Sequence, residues 1–464
     1  TVGEPATAAL YLATPALRTA GPAQDYSTLD EKNPAVYGLP HYADPSKIAL
    51  QTEQKNLGEK PIAVTQELVI ENHYVFGDIV HRESRELTLA PGEKATAIDW
   101  DIPTLEPGFY YPKVIVKLDG DEVMRNDTFF TVNLAEYNRP LTRPDDFEAF
   151  WRNKLAAMRA VPFDAKLTKN EALSSDTVDH YDLELTLAGG KGLVDRAEKL
   201  NKGKKPSNGA PLGKTAPGDD TLHLYRFASA LRVPKGGGPF VARNYGRAKP
   251  KDLNPAIVYI RASARDPLYD EYRYRRWASR DDNDLLDAVL QWVRLCDFLA
   301  ARDDVKGIYL WGASRTGPLV VITGALAPEK MAGVASMVAT DAGIGYEKRP
   351  YRGWGMPRID WGDEAKARRQ IAEFAPMARY FDPINHAPDL KAPAIFSWGI
   401  KDNLARGDAI DVMYKHTASQ WKRISRHGGG HQAKQNGWFK LEAELEALIG
   451  VPKQAKDDSI LKEH

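Results

Sequence analysis

Residues 312–317 read Gly-Ala-Ser-Arg-Thr-Gly and directly follow a short apolar stretch. A serine on a sharp turn between a buried strand and a helix projects its hydroxyl above the sheet, and small neighbours permit that turn. The backbone N–H of Arg315 would then lie at the helix start, where unpaired donors and the helix dipole can stabilise an oxyanion. The pattern predicts Ser314 as a nucleophile; the alternative is a tight turn in which Ser314 only caps the helix.

A serine nucleophile needs a base, and the base needs a carboxylate that orients it. Asp402 follows an apolar stretch at 394–398, and His431 comes later in the chain, directly behind three glycines. The order Ser, Asp, His along the chain is that of the α/β-hydrolases. We therefore predict that Ser314, Asp402 and His431 form a catalytic triad.

Other histidines and acids compete for these roles. His427 is the alternative base, and Asp341, at the end of a predicted strand, is the alternative acid. His427 and His431 also suggest a metal pair, but they flank three glycines instead of sharing a helical face, and no matching carboxylate motif accompanies them. We expect neither a metal nor a cofactor, and we expect His386 to be a structural loop residue.

A second oxyanion donor is expected on the loop that follows the predicted strand at 256–260. The backbone N–H of Arg261 or Ala262 is the candidate. The same loop continues with aromatic and basic residues that can stack on sugar rings and pair with a carboxylate: Arg265, Tyr269, Tyr272 and Trp277. The alternative is a solvated helix whose aromatic residues face the core. The Arg315 side chain either holds substrate charge or pairs with a nearby acid.

The elements that must position these residues alternate between strand and helix. Buried strands are predicted at 256–260, 308–311, 333–339 and 394–398, and a helix that Asn283 caps lies between the first two. This order predicts a mostly parallel sheet flanked by helices, which is an α/β fold. Cys296 falls on the apolar face of the predicted helix, where it serves core packing.

The earlier part of the chain has a different pattern. Residues 1–45 are predicted to be a loosely structured extension, and residues 46–137 alternate with period two between turn residues, which predicts an Ig-like β-sandwich. A proline-punctuated linker precedes the third domain, 144–464, which opens with a helix that Asp145 or Asp146 caps. Within it, 189–220 is rich in Gly, Lys and Pro and is predicted to be an exposed insertion.

Composition excludes several classes of protein. The 464 residues include 63 Lys and Arg against 63 Asp and Glu, so no net charge favours nucleic acid or an anionic membrane. One Cys excludes an internal disulfide framework, and no apolar run is long enough for a membrane span. The chain starts at Thr1; with a leader taken as removed, we expect an extracellular or periplasmic location. A homo-oligomer stays open.

Four segments resemble the acetylxylan esterase and cephalosporin-C deacetylase family of α/β-hydrolases, also called carbohydrate esterase family seven. They are 143–151, 231–236, the turn around Ser314, and 380–402. The resemblance implies a serine esterase that acts on an acylated carbohydrate through an acyl-enzyme, with Ser314 as nucleophile, Asp402 as acid and His431 as base. Thr316 stands where the family has a glycine.

Three alternatives stay open at this level. The Ser-Arg pair is similar to that of glucuronoyl esterases, which would place basic residues near a uronate. A prolyl-oligopeptidase-like peptidase would need more N-terminal strands than this chain has. A non-catalytic carbohydrate-binding protein on a hydrolase fold would leave His431 out of reach of Ser314.

Overall fold

A computed structural model of the chain describes most of the sequence, in ranges that are separated by gaps. These ranges are 16–19, 41–72, 78–191, 210–235, 241–244, 258–260, 279–327, 329–346, 363–399, 402, 404–427, 430–431 and 438–451. The chain forms two compact units, of which one holds Thr1–Arg139 with Arg426–Gly428 and the other holds Pro140–Ser425 with Gly429–His464.

The described part of the first unit consists mainly of strands. They are β1 Ala16–Thr19, β2 His41–Tyr42, β3 Leu50–Asn56, β4 Ile62–Glu71, β5 Ile79–Leu89, β6 Gly92–Trp100, β7 Gly108–Leu118, β8 Asp121–Asp127 and β9 Phe130–Val132. One sheet has the order β1-β3-β6, and the other has the order β2-β9-β7-β4-β5 with β8 paired to β7. Buried and less buried residues alternate along β7, as period-two patterning requires.

Both sheets contribute to one apolar cluster. Leu50 and Trp100 come from the first sheet, and Leu68, Val114 and Phe130 come from the second. The sequence prediction was wrong about part of the 1–45 extension, because β1 pairs with β3 and β2 pairs with β9. Strands of two and four residues are too short to show a period-two pattern.

The second unit alternates helices with one large sheet. Its helices are α1 Phe147–Arg159, α2 Asp284–Ala300, α3 Thr316–Leu326, α4 Glu364–Ala378, α5 Pro383–His386, α6 Gly407–His416 and α7 Trp438–Leu448. Its strands are β10 Lys166–Lys169, β11 Val178–Gly190, β12 Ala210–Ala216, β13 Asp219–Pro234, β14 Val241–Asn244, β15 Val258–Ile260, β16 Gly307–Ala313, β17 Met331–Met337, β18 Ala394–Gly399 and β19 Lys422–His427.

The sheet has the order β10-β11-β13-β15-β14-β16-β17-β18-β19, with β12 on β13. The pairs from β10 to β15 are antiparallel, and the pairs that join β15, β14, β16, β17 and β18 are parallel. The α/β class predicted from the sequence is therefore confirmed, with an antiparallel part added on one side. Strand β16 lies inside the parallel part, and Ser314 follows it directly.

The structure contradicts part of the exposed insertion that the sequence predicts at 189–220. Strand β11 runs to Gly190, β12 pairs with β13, and 192–209 lies outside the described residues. The Gly and Pro of β12 suggested a loop, but an outer strand tolerates them, and the β12 pairing shifts register twice. No helix in the described ranges combines the length and apolarity that crossing a membrane requires.

The helix caps follow the sequence in one case and depart from it in another. The Asn283 side chain accepts a hydrogen bond from the Leu285 amide at the start of α2, and Cys296 is buried on that helix, as predicted. Asp146 is the N-cap residue of α1, but its side chain makes no capping bond. Its carboxylate instead accepts hydrogen bonds from the Tyr380 hydroxyl and the Arg280 guanidinium.

Candidate active site

Ser314 lies on a strained turn between β16 and α3. Its φ is 56°, in the left-handed region that residues other than glycine rarely adopt. Its amide donates to the Met337 carbonyl at 2.9 Å, and its carbonyl accepts from the Gly317 amide at 3.0 Å. Strain of this kind is retained where the surrounding structure determines the conformation, and it lifts the serine side chain out of the sheet.

The residues around Ser314 are shaped to permit the turn. A Cβ at Gly312 would overlap the Thr316 carbonyl, and a Cβ at Gly317 would lie 2.9 Å from the Ala339 Cα. The Thr316 hydroxyl accepts from the Ala313 amide at 2.9 Å and donates to the Ala313 carbonyl at 2.9 Å. Thr316, at the position where the resemblance implies glycine, therefore adds two bonds that close the turn.

The structure brings Ser314, His431 and Asp402 together. His431 Nε2 lies 2.9 Å from Ser314 Oγ, and His431 Nδ1 lies 2.8 Å from Asp402 Oδ2. The Asp402 side chain is fully buried, whereas a quarter of the His431 side chain is exposed. Asp402 Oδ1 also accepts from the amides of Leu404 and Ala405, so the carboxylate is held on both sides.

These contacts define what the three groups can do. An ionised carboxylate only accepts hydrogen bonds, so Nδ1 of His431 carries a proton and donates a hydrogen bond to Asp402. Nε2 is then the acceptor for the Ser314 hydroxyl. A hydroxyl, imidazole and carboxylate in this order can pass the serine proton to the imidazole while the oxygen attacks an electrophile.

Arg315 lies at the N-cap position of α3 and directs its side chain away to an acid. Its Nη2 is 2.9 Å from Asp284 Oδ2, and the Asp284 side chain is almost fully buried. Of the two roles left open for this guanidinium, pairing with a nearby acid is the one observed. Asp284 is not predictable as a site residue from the sequence, because its only signal is its place in the first turn of α2, directly after the capping Asn283.

Six other predicted site residues lie outside the described residues, so their placement stays a prediction. They are the oxyanion candidates Arg261 and Ala262 and the substrate-binding candidates Arg265, Tyr269, Tyr272 and Trp277. Asp341 and His427, the competitors for the acid and the base, are both buried. The imidazole that contacts the Ser314 hydroxyl and the Asp402 carboxylate is that of His431. In the described ranges, no group of three His, Cys, Asp or Glu side chains could hold a metal ion.

His386 is buried and packs against α1. Its Nε2 lies 3.1 Å from the Tyr380 carbonyl, and its ring packs 4.9 Å from that of Phe147 and 5.3 Å from that of Trp151. Burial lowers the pKa of His386 to about 3. The side chain is neutral in the folded protein, which fits a structural role. The predicted loop is wrong, because His386 is the last residue of helix α5.

Asp382 supports the site indirectly and was missed by the sequence analysis. Its carboxylate accepts hydrogen bonds from the amides of Gly343, Gly345 and Ile384 at 2.9 to 3.0 Å. Burial raises its pKa to about 6, against the lowering effect of those bonds. The two glycines belong to the buried segment 338–346, whose Thr340 amide donates to the Ser314 carbonyl at 3.3 Å.

Comparison with known proteins agrees with the predicted resemblance. The family model described as acetyl xylan esterase matches residues 127–207, a range that includes the segment 143–151. The acetyl esterase Axe7A of Xylanibacter ruminicola is 23% identical over 331 residues, which are 69% of this chain and 70% of that protein. These matches confirm the resemblance to the acetyl xylan esterases. The family match ends before Ser314.

Two solved structures are also similar. Acetyl xylan esterase 1 from Thermoanaerobacterium sp. JW/SL YS485 is 16% identical, covers 68% of this chain and 97% of its own, and has a TM-score of 0.48. The acetyl xylan esterase from Paenibacillus sp. R4 is 18% identical, covers 69% and 98%, and also has a TM-score of 0.48.

Proposed function

We propose that this chain, an esterase that resembles the acetyl xylan esterases, removes acyl groups from a carbohydrate through an acyl-enzyme on Ser314. The observation that carries the proposal is the continuous set of contacts from Ser314 Oγ through His431 to the buried Asp402. The relative Axe7A of Xylanibacter ruminicola is named an acetyl esterase, which supports acetyl as the acyl group. The partner in the reaction is then a small acylated sugar.

In the first half of the reaction, Ser314 Oγ attacks the ester carbonyl carbon while His431 Nε2 takes its proton. The carbonyl oxygen becomes an oxyanion, which the Arg315 amide at the start of α3 stabilises together with an amide of Arg261 or Ala262. The C–O bond to the sugar then breaks, and the imidazolium gives its proton to the sugar oxygen. The product is a free sugar hydroxyl and an acyl group on Ser314.

In the second half, water replaces the sugar. His431 takes a proton from the water as its oxygen attacks the acyl carbon, and the same amides hold the new oxyanion. Collapse of this intermediate returns the proton to Ser314 Oγ and releases the carboxylic acid. Asp402 stays ionised throughout and stabilises the imidazolium that forms in each half.

A Ser314→Ala variant tests the mechanism. We expect kcat for a 4-nitrophenyl acetate ester to fall by about 10³-fold or more, because the nucleophile is lost while the binding surface remains. Ser84→Ala, at an exposed serine of β5 in the first unit, serves as the matched control and should retain full activity. Unchanged turnover in a folded Ser314→Ala protein would contradict the role of Ser314 as nucleophile, whereas the non-catalytic carbohydrate-binding alternative predicts no turnover in the wild type.

Acetate release from an acetylated xylo-oligosaccharide tests the substrate class separately. We expect the wild type to release acetate from this sugar and Ser314→Ala not to do so. If the protein hydrolyses the nitrophenyl ester but releases no acetate from the sugar, the esterase activity is retained and a carbohydrate substrate is excluded. The glucuronoyl alternative is weakened by the observed pairing of Arg315 with Asp284, because that guanidinium already has an acidic partner.

We propose the α/β-hydrolase fold for 144–464, on the support of parallel strands β14 to β18 and of the turn between β16 and α3. We propose an Ig-like β-sandwich for 46–137, on the support of two sheets that share an apolar cluster.

A further inference from the structure

The charge beside the proposed nucleophile is set by a pair of residues from two helices. Arg315 directly follows Ser314, and its guanidinium is bound by Asp284 at 2.9 Å. About a quarter of the Arg315 side chain is exposed, whereas the Asp284 side chain is 6% exposed. The acid is therefore the buried partner, and the cation faces the more open side.

The position of Asp284 favours its negative charge. It is the first residue of α2, whose N-terminus carries the positive end of the helix dipole, and Asn283 caps that helix. A guanidinium and a helix start both stabilise a carboxylate there. The positive charge of Arg315, the chain neighbour of Ser314, is therefore opposed by the negative charge of Asp284 at 2.9 Å.

We infer that Asp284 is a specificity-determining residue, which cancels the charge of Arg315 and so directs the esterase to acyl groups on neutral sugars instead of sugars that carry a carboxylate. The inference rests on the proposed function and names the substrate class of that same site. Without Asp284, Arg315 would present a net positive charge beside the ester and would attract an anionic sugar.

The test compares two substrates that differ in one carboxylate. They are methyl β-xyloside and methyl β-glucuronoside, each acetylated on its ring hydroxyls, and the measurement is acetate release at low salt. For Asp284→Asn we expect the ratio of kcat/KM for the glucuronoside to that for the xyloside to rise by about 3- to 10-fold, the size of one partly screened charge at this range. The rise should largely disappear at 1 M salt, where charges are screened.

A matched control is available on the same helix. Asp297 of α2 pairs with Arg159 at 2.8 Å, in the same kind of ion pair. It lies about 20 Å farther along the helix axis, at 1.5 Å for each residue. Asp297→Asn should leave the substrate ratio unchanged, and Asp284→Glu, which retains the charge, should restore the wild-type ratio.

Several outcomes would overturn the inference. An unchanged ratio in folded Asp284→Asn, or an equal change in Asp297→Asn, would reduce the pair to a structural contact. If Asp284→Asn does not fold, the Asp284→Glu ratio decides: a shift of more than about 3-fold would show that the charge is not what matters. Failure of the proposed function is distinguishable, because Ser314→Ala would then keep its activity on both sugars.

Discussion

The proposed nucleophile and one residue near it adopt a backbone conformation that their side chains disfavour. Ser314 has φ of 56° and Val338 has φ of 41°, although a β-branched residue is among the rarest in that region. Each residue donates its amide to a carbonyl of a neighbouring strand: Ser314 to Met337 of β17, and Val338 to Ser397 of β18. The packed sheet stabilises this strained backbone, and the turn at Ser314 directs the serine side chain out of the sheet.

At the residue scale, Thr316 provides a test of that strain. Thr316→Val keeps the shape but removes both bonds to Ala313, and we expect kcat/KM for 4-nitrophenyl acetate to fall about 5- to 10-fold, because a lost hydrogen bond costs about 1 kcal/mol. Thr316→Ser retains the hydroxyl and should recover most of the activity. Equal loss in both variants, or no loss in either, would show that the hydroxyl does not position Ser314.

At the element scale, the short helix α5 and the segment before it join several parts of the second unit. Asp382, directly before α5, binds the amides of Gly343 and Gly345 in the segment that contacts the Ser314 carbonyl. His386, the last residue of α5, packs on α1. Titration of these buried groups therefore acts on the stability of the elements that position the site.

His386 predicts a pH dependence of stability. Its folded pKa of about 3 lies below the ordinary value of 6.5. Between these two pH values the His386 imidazole is protonated in the unfolded chain but not in the folded chain. The contribution of His386 to the free energy of unfolding is therefore present above pH 6.5 and is lost as the pH falls toward 3, by up to about 1.4 kcal/mol for each pH unit. In His386→Asn, the side-chain amide can still donate to the Tyr380 carbonyl, but the pH dependence that the imidazole causes is absent.

Urea denaturation at pH 7, 6 and 5 measures the effect. We expect the wild type to lose roughly 1–2 kcal/mol more between pH 7 and pH 5 than His386→Asn loses. Asp382, whose raised pKa of about 6 makes stability fall as pH rises from 3.8 to 6, acts in both proteins and cancels in the difference. Identical losses in the two proteins would contradict a buried neutral His386.

At the scale of the whole molecule, the 63 basic and 63 acidic residues leave no net charge. Long-range steering of a charged substrate requires a net charge or a charged cleft. We therefore expect kcat/KM of the wild type for acetylated methyl β-glucuronoside, which is an anion, to change by less than about 2-fold between 10 mM and 500 mM salt. A strong salt dependence for this anionic sugar would indicate a charged cleft that the overall composition does not reveal.

The sequence by itself determined the α/β class, the turn that carries Ser314, and the pairing of Asp402 and His431 as candidates, because glycine spacing, apolar strands and chain order are local signals. It did not determine that Thr316 closes the turn, that Asp382 holds a distant segment, or that Asp284 binds Arg315. Those contacts either join residues that are far apart in the sequence or depend on a hydrogen bond whose partner cannot be identified from local sequence patterns. Only the packed sheet and its helices brought them within hydrogen-bond distance, since such bonds require fixed geometry and no particular spacing along the chain.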